Sequence, residues 1–467
     1  MNHIKIKNIS INKYQLEKTP LMQAEAVFYA SEDLLRYILK DSSLEQLAEA
    51  ACLDNIISPV IGMPDIHQGF GLPIGGIMAT QDMISVGAVG MDINCGVRLL
   101  TSKLIYNNND FSQKKLLSLI NQIERLIPTG LGGKHKKQFN LDLKRLVEEG
   151  VKYLVKQGYA LKQDLEKIEE NGRMKSASFQ ALTQQAKNRA QKQLGSLGSG
   201  NHFIEIQKIT EIFDLKTAKD WGLTKNQICL MIHSGSRALG HQTCNDYINL
   251  FWKLKDKYQV KVPTKGLAAL PIETKEGKDY FSAMAAAVNF AFCNRAMMTY
   301  FVRQVFKDNF NTQLNLLYDV AHNIAKWENY QGNWILIHRK GATRALPANH
   351  PQNPKIYLKT GHPAIVPGSM GSPSYIMVGL AKNKETFYSI NHGAGRIMSR
   401  TQARKQIQEK DFIQAMENIV YNKHFHTIAD EAPQAYKNIN QVVNVLVEAG
   451  LTKKIAQLTP LAVIKGS

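Results

Sequence analysis

The chain of 467 residues is short of cysteine, of long apolar runs and of acidic residues, and each shortage excludes a class of protein. Its five cysteines (Cys52, Cys95, Cys229, Cys244, Cys293) are scattered, odd in number and without CxxC spacing. That excludes a disulfide framework and a zinc ribbon, and it fits a reducing compartment. The longest charge-free apolar stretch, Tyr280 to Asn294, has 15 residues, short of the roughly 18 that suggest a membrane span. The N-terminus, MNHIKIKNIS, lacks the basic-then-apolar layout of a signal peptide. A cytoplasmic protein without a membrane partner is therefore expected. No low-complexity tract, Pro/Ser-rich linker or internal repeat is present, which favours one large domain over 1–467. Lys and Arg number 58 against 39 Asp and Glu, a formal net charge of +19. A surplus of that size implies an anionic partner, nucleic acid or nucleotide, because neutralising phosphate dominates such affinities.

What is present reads as a mixture of helices and strands. Leu116, Ile120, Ile123 and Ile127 recur at helical spacing after Ser112, a candidate cap, and before Pro128, a stop. Further helices are expected within 176–195, 280–307 and 401–420. A helical insertion is expected at about 110–195, and its lysine-rich part, 134–192, reads as a solvated basic face. Short apolar runs with strand character end in histidine and then break into small or polar residues: ICLMIHSGSR (228–237), LLYDVAHN (316–323), WILIHRKGATR (334–344) and FYSINHGAGR (387–396). IGMPDIHQGFGLPIGG (61–76) does the same with an earlier turn. Strands ending this way can present their last side chains to a common mouth. Strands and helices without strict βαβ alternation argue for an α+β fold of mixed sheets with flanking helices.

The segment VGMDINCGVRLL (89–100) sets Asp92 and Cys95 three residues apart between glycines. Locally this is either a tight turn with a small buried thiol or two ligands of one metal. GSLGSGNHFIEIQ (195–207) adds Asn201, His202 and Glu205 after glycines whose backbone amides can cradle phosphate. Three or more imidazoles, one thiolate and one carboxylate form a mixed donor set that suits manganese(II), iron(II), zinc(II) or cobalt(II) better than calcium or magnesium. A metal-activated hydrolase or a phosphoryl or nucleotidyl transferase follows as the class, with Arg98, Arg237, Arg339, Arg344 and Arg396 available to clamp phosphates.

Ten blocks together carry a resemblance: GMPDIHQGFGLPIGG, GAVGMDINCGVR, GSLGSGNHFIEIQ, IHSGSRALGH, AHNIAKWE, HRKGATRALP, PGSMGSPSYIMVG, NHGAGRIMSR, EAPQAYKNIN and PLAVIKG. In this order, from about residue 60 to the C-terminus, the chain resembles the RtcB family of RNA-splicing ligases. Ser467 after the closing lysine-glycine pair and the sequence ALPANHPQNP depart from the family pattern, and 134–192 carries no family motif.

The resemblance implies a GTP- and manganese-dependent ligase that joins RNA 3′-phosphate or 2′,3′-cyclic phosphate ends to 5′-hydroxyl ends, in tRNA splicing or RNA repair. It implies that Cys95 is shared by two Mn2+ ions, with Asp92 and His202 completing one site and His233 and His322 the other. His392 is implied as the nucleophile that takes GMP. Glu205 and Lys465 are implied as readers of the guanine, with Tyr436 near the base. Asn201, Asn323, Pro367, Gly368, Ser369, Met370, Ser374, Gly393, Ala394 and Gly395 are implied to hold ribose and phosphates, with His202, Phe203, Ile204 and His322 among the nucleotide contacts. Asp65, His67, Arg237, Arg339, Arg344 and Arg396 are candidates for contacts to the RNA ends or for supports behind the site. RNA is the implied partner, with an archease-like activator as a second candidate. The alternative is a metal-dependent RNA 3′-end phosphatase, which needs the metals but not GTP. Under either reading RNA affinity should fall steeply as salt is raised, because each neutralised phosphate releases counterion; a flat binding titration between low and moderate salt contradicts the electrostatic reading.

Overall fold

The computed structural model describes residues 4–130, 132–135 and 139–466; Ser467 and part of the lysine-rich segment lie outside them. Two seven-stranded sheets organise the chain. The first runs in the order Ile6–Ser10, Lys13–Leu16, Ala26–Tyr29, Ile56–His67, Ile74–Thr80, Asn333–Lys340, Asn323–Tyr330. Only the pair Ala26–Tyr29 and Ile56–His67 is parallel. The second is antiparallel throughout, in the order Asn315–Ala321, Gly96–Ile105, Gln227–Ser234, Phe203–Ile212, Thr452–Lys465, Ser374–Gly379, Ala364–Val366. Helices pack around these sheets, so the α+β architecture expected from the sequence is the one found.

The helices show where local pattern suffices and where it does not. Gln113–Leu126 follows Ser112, ends before Ile127 and buries Leu116, Leu119, Ile120 and Ile123, as the spacing predicts. The helix expected at 280–307 extends over Lys275–Phe310, opened by Thr274, whose side chain accepts from the Gly277 amide, and closed by Asn311 in the left-handed region. The 176–195 stretch is α-helical only at Gln184–Ala190. Ser178 and Thr183 there each accept from a backbone amide two or three residues on, and such local bonds compete with a continuous helix. The 401–420 stretch divides into Arg400–Gln406 and Glu409–Ala415 because Ile407 and Gln408 are extended.

The 134–192 segment is not merely solvated. Leu146, Val147, Val151, Leu154, Ala186 and Ala190 join the main core, and Asn289 of the long helix ties the segment down. The Asn289 amide donates to the Val147 and Met174 carbonyls, and its oxygen accepts from the Met174 amide.

The long helix carries two more buried polar residues that fix the loops at one end of the second sheet. Asn294 accepts from the Gly195 and Ser196 amides and donates to the Ser196 carbonyl, the Ser234 hydroxyl and the Gly235 carbonyl. Arg295 is fully buried and donates to the Asn94 carbonyl (2.8 Å), the Asn94 side chain (3.0 Å), the Ser234 carbonyl (2.7 Å) and Asp319 (2.9 Å). Asp319, also fully buried, takes a second guanidinium from Arg98 at 2.6 Å. Arg98 is thereby committed inside the fold and is not available to clamp phosphate. Gly96 packs where any side chain would collide: a Cβ there would lie 2.5 Å from the Val320 carbonyl and 3.0 Å from Arg295.

Removing one partner of a buried ion pair leaves an uncompensated charge and costs about 3–5 kcal/mol. Asp319→Ala, which strands two guanidiniums, should therefore lower unfolding free energy by about that amount in a denaturant titration; a change within experimental scatter would show that Arg98 and Arg295 do not depend on Asp319.

Candidate active site

Sheet register brings the candidate metal-ligating side chains together. Gly96 is paired with Ser234 on one neighbouring strand and with Ala321 on the other. Cys95, His233 and His322 therefore arrive at the same end of three adjacent strands. His233 is in turn paired with Phe203 of the next strand, which adds His202. Asp92 reaches the cluster through a turn in which the Cys95 amide donates to the Asp92 carbonyl.

Cys95 Sγ lies 3.2 Å from His233 Nε2 and 3.4 Å from His202 Nε2. His233 Nε2 and His322 Nε2 are 3.1 Å apart, and His202 Nε2 is 2.7 Å from an Asp92 oxygen. Two donor groups result, Cys95–His233–His322 and Asp92–Cys95–His202, with the ligand atoms of each within 4.8 Å of one another and Cys95 common to both. The electrostatics suit cations. Burial drives the His233 and His322 imidazoles well below their usual pKa, into the neutral, lone-pair form. Burial and the Asp92 carboxylate push the Cys95 thiol well above its usual value, and a cation reverses that direction by stabilising the thiolate. His202 Nδ1 faces the Leu197 carbonyl at 2.9 Å. A carbonyl can only accept, so Nδ1 carries a proton, which leaves Nε2, now against the Asp92 carboxylate, as the atom that would ligate an ion set between them. The residues present thus fit two ions sharing one thiolate.

Beside this cluster opens a cavity of about 1090 Å³. His392 lies on its wall, directly after the strand Ser389–Asn391, with its ring centroid 5.0 Å from that of His322. The Asp65 carboxylate accepts from the His392 amide (3.0 Å), from Nδ1 (2.7 Å) and from the Gly393 amide (3.2 Å). The proton is held at Nδ1, and Nε2 is left with a free lone pair. Gly395 allows this approach, since a Cβ there would stand 2.2 Å from the Asp65 carbonyl. Lys437, buried, donates to the Pro64 and Ile66 carbonyls on either side of Asp65.

Of the candidate nucleotide contacts, Asn201, Phe203, Pro367 to Met370, Gly393 to Gly395, Tyr436 and Lys465 line the cavity. Glu205 and Ser374 lie just behind, linked through Gln207, whose amide donates to both, while Ser374 accepts from the Gly368 amide. Burial pushes the Glu205 carboxyl up to about 8. Asn323 joins the metal loop to its surroundings, donating to the Asp92 carbonyl and accepting from the Gly341 amide. Ile204 turns its side chain into the main core.

The remaining candidates divide. Asp65 and His67 are at the site, and Arg396 lines the cavity while donating to Glu431 and Tyr436. Arg237 packs on the glycine-rich loop near Asp92, donating to the Ser196 hydroxyl and to the Gly130 carbonyl. Arg339 and Arg344 do not line the cavity and lie behind it: Arg339 is buried on Glu328, the Phe387 carbonyl and the Ser389 hydroxyl of the strand that leads to His392, and Arg344, paired with Ser389, lies beside Glu169 and Glu170. His338 breaks the strand-end pattern too; it sits inside Asn333–Lys340, fully buried, with Nε2 accepting from the Ser85 amide.

Two kinds of residue escaped the sequence reading. Glu431 binds Lys465 at 3.2 Å and accepts from the Tyr436 hydroxyl at 2.5 Å; its signal was its place at the head of EAPQAYKNIN. Asn294 and Arg295 brace the loops of the donor cluster, and their signal was polar side chains where the apolar run ends in the middle of the long helix.

Cys95→Ser should fold normally yet bind metal more weakly by more than the roughly 10- to 100-fold that loss of an outer partner costs, because a hydroxyl replaces a shared thiolate poorly. Elemental analysis of the purified variant reads this directly, and full metal content would return Cys95 to a packing role.

Comparison with known proteins agrees with this geometry. The family model for tRNA-splicing ligase RtcB matches residues 46–466. The tRNA-splicing ligase RtcB of Thermococcus kodakarensis is 40% identical, the match covering 99% of each chain, and that of Aeropyrum pernix is 40% identical over 96% of each. The RNA-splicing ligase RtcB of Mycobacterium tuberculosis is 38% identical over 90% of this chain and all of its own length. A matching family model over most of the length, relatives at this identity, and a paired donor cluster beside a poised histidine lead to one conclusion: the chain belongs to the RtcB family of tRNA-splicing ligases.

Proposed function

We propose that this protein is a cytoplasmic ligase that joins RNA 3′-phosphate or 2′,3′-cyclic phosphate ends to 5′-hydroxyl ends, using GTP and two manganese ions, in tRNA splicing or RNA repair. The observation that carries the reading is His392: its Nδ1–H is fixed by Asp65, leaving Nε2 as a neutral nucleophile on the wall of a cavity beside the paired donor cluster. A phosphate monoester is a poor electrophile, and activating it with a nucleotide is the chemistry such a nucleophile supplies.

In this reading any cyclic phosphate is first hydrolysed. His392 Nε2 then attacks the α-phosphorus of GTP and releases pyrophosphate. Asp65 stabilises the imidazolium that forms, as a carboxylate at Nδ1 does in other catalytic histidines. GMP passes from His392 to the RNA 3′-phosphate, and the 5′-hydroxyl displaces GMP from that activated end. Lys465 and Glu205 read the guanine, and Pro367 to Met370 hold phosphates. Asp92, Cys95, His202, His233 and His322 hold the two ions, which when bound neutralise charge on the phosphates. The RNA is the polyanion that the positive charge surplus favours, and an archease-like activator is a partner to be tested by reconstitution.

His392→Ala should retain wild-type metal content, since all five ligands remain, yet take up no label from GTP labelled at the α-phosphate. The wild-type adduct, a P–N bond, should be acid-labile and alkali-stable. The variant should still seal RNA supplied with a guanylylated 3′ end. Label uptake by His392→Ala sinks the assignment, and removal of RNA 3′-phosphate by the wild type without any label uptake favours the phosphatase.

A further inference from the structure

His67 stands on the cavity wall in the same chemical state as His392, yet the reaction as described gives it no task. It closes the strand Ile56–His67 in the first sheet, whereas the ligands Cys95, His202, His233 and His322 and the cavity residues Phe203 and Lys465 belong to strands of the second sheet or border them. Its Nδ1 faces the Asp65 carbonyl at 2.8 Å. Since a carbonyl only accepts, the proton is on Nδ1 and the Nε2 lone pair is free. Among the described residues Nε2 has no hydrogen-bond partner, and it is not sealed from solvent but opens to the cavity that His67 lines. Asp65 therefore orients two imidazoles at once, His392 through its carboxylate and His67 through its backbone.

The wall around His67 is held in place. The Asp41 carboxylate accepts from the Gln68 amide, and the Gln46 side chain brackets Gly69 by accepting from its amide and donating to its carbonyl. That wall, with Tyr37, Lys40 and Ser42 on the same cavity, carries none of the candidate nucleotide contacts. A cavity of about 1090 Å³ is at the upper end of what small-molecule sites span, which leaves room for RNA beside a nucleotide.

The step still without a proton acceptor is the joining itself. We propose, resting on the ligase reading above, that His67 is a catalytic residue of that step, its Nε2 taking the proton of the RNA 5′-hydroxyl. As the proton leaves, the 5′-oxygen bonds to the 3′-phosphorus and the P–O bond to GMP breaks, GMP departing with the electron pair. The imidazolium of His67 then returns its proton to solvent. Three charged or titratable groups face His67 from the elements packed on it: Asp65 on its own strand, His392, and Lys437. Asp41 lines the same wall but is spent on backbone amides. Burial, aided by Lys437 and His392 and opposed by Asp65, brings the His67 pKa down to about 4, so the ring is in its basic form at neutral pH.

The test uses RNA bearing a pre-guanylylated 3′ end, a 5′-hydroxyl acceptor and full-length protein with manganese, in single turnover across pH. In His67→Gln the sealing rate should fall by about 10²- to 10⁴-fold, the usual contribution of a positioned base. The deficit should narrow as pH rises and hydroxide takes over, while guanylylation of His392 from GTP stays within a few-fold of wild type. Added imidazole should restore sealing in His67→Ala. Equal sealing by wild type and His67→Gln overturns the proposal, and so does a parallel, pH-independent loss of sealing and guanylylation, which would reduce His67 to a support for Asp65. If His67→Gln does not fold, His67→Asn, which can still donate toward the Asp65 carbonyl, is judged by the same two rates. Failure of the wild type itself to seal this RNA overturns the ligase reading and the proposal with it.

Discussion

A single buried guanidinium sets the geometry on which the rest depends. Arg295 reaches from the long helix to the Asn94 turn beside Cys95, to the Ser234 carbonyl beside His233, and to Asp319 on the strand that leads to His322. Three metal-ligating side chains thus come from chain segments that share one cation as their common support. Placing a fully buried charge there is unfavourable unless every donor is used, and Arg295 uses its donors on backbone carbonyls, an amide oxygen and a carboxylate. The same helix contributes Asn294, one turn's neighbour in sequence, which does for the glycine-rich loop before His202 what Arg295 does for the other ligands. The apolar surface of this helix stabilises the core, and its few polar atoms position the site.

Asp65 performs the matching task on the other sheet. Its carboxylate fixes the His392 tautomer, its carbonyl fixes that of His67, and Lys437 caps the carbonyls on either side. One sheet thereby supplies most of the candidate metal donors and one wall of the cavity, and the other supplies the support for His392. The cavity between them is where the two meet. Burial disfavours the charged ring, so His67, His233 and His322 keep their lone pairs available.

How much of this was legible in the sequence depended on the range of the cause. Asp92 and Cys95 stood out because the glycines and the turn that join them are local. His233, His322, His392 and His67 stood out because a strand that stops at a histidine shows it in a few letters. His338 shows the limit: the same local grammar continues two residues further as strand, and its ring finds the Ser85 amide from a distant segment. Arg98, Arg339 and Arg344 looked like phosphate clamps because an arginine does not announce its carboxylate. Asp319, Glu328 and Glu169 become their partners only when strands align. The reading of 134–192 as a solvated face was incomplete for a related reason, since lysine content describes the outer side while a few spaced apolar residues meet the long helix. Arg295 itself was hidden as one charge at the end of an apolar run.

Arg295 on one side and Asp65 on the other set up two cation sites that share the Cys95 thiolate beside His392. Anomalous scattering from crystals grown with manganese tests this arrangement most directly. The account predicts two peaks flanking Cys95 Sγ, one held by Asp92 and His202 and the other by His233 and His322. A single ion that leaves Cys95 Sγ unbound, or manganese bound only elsewhere on the protein, would contradict it.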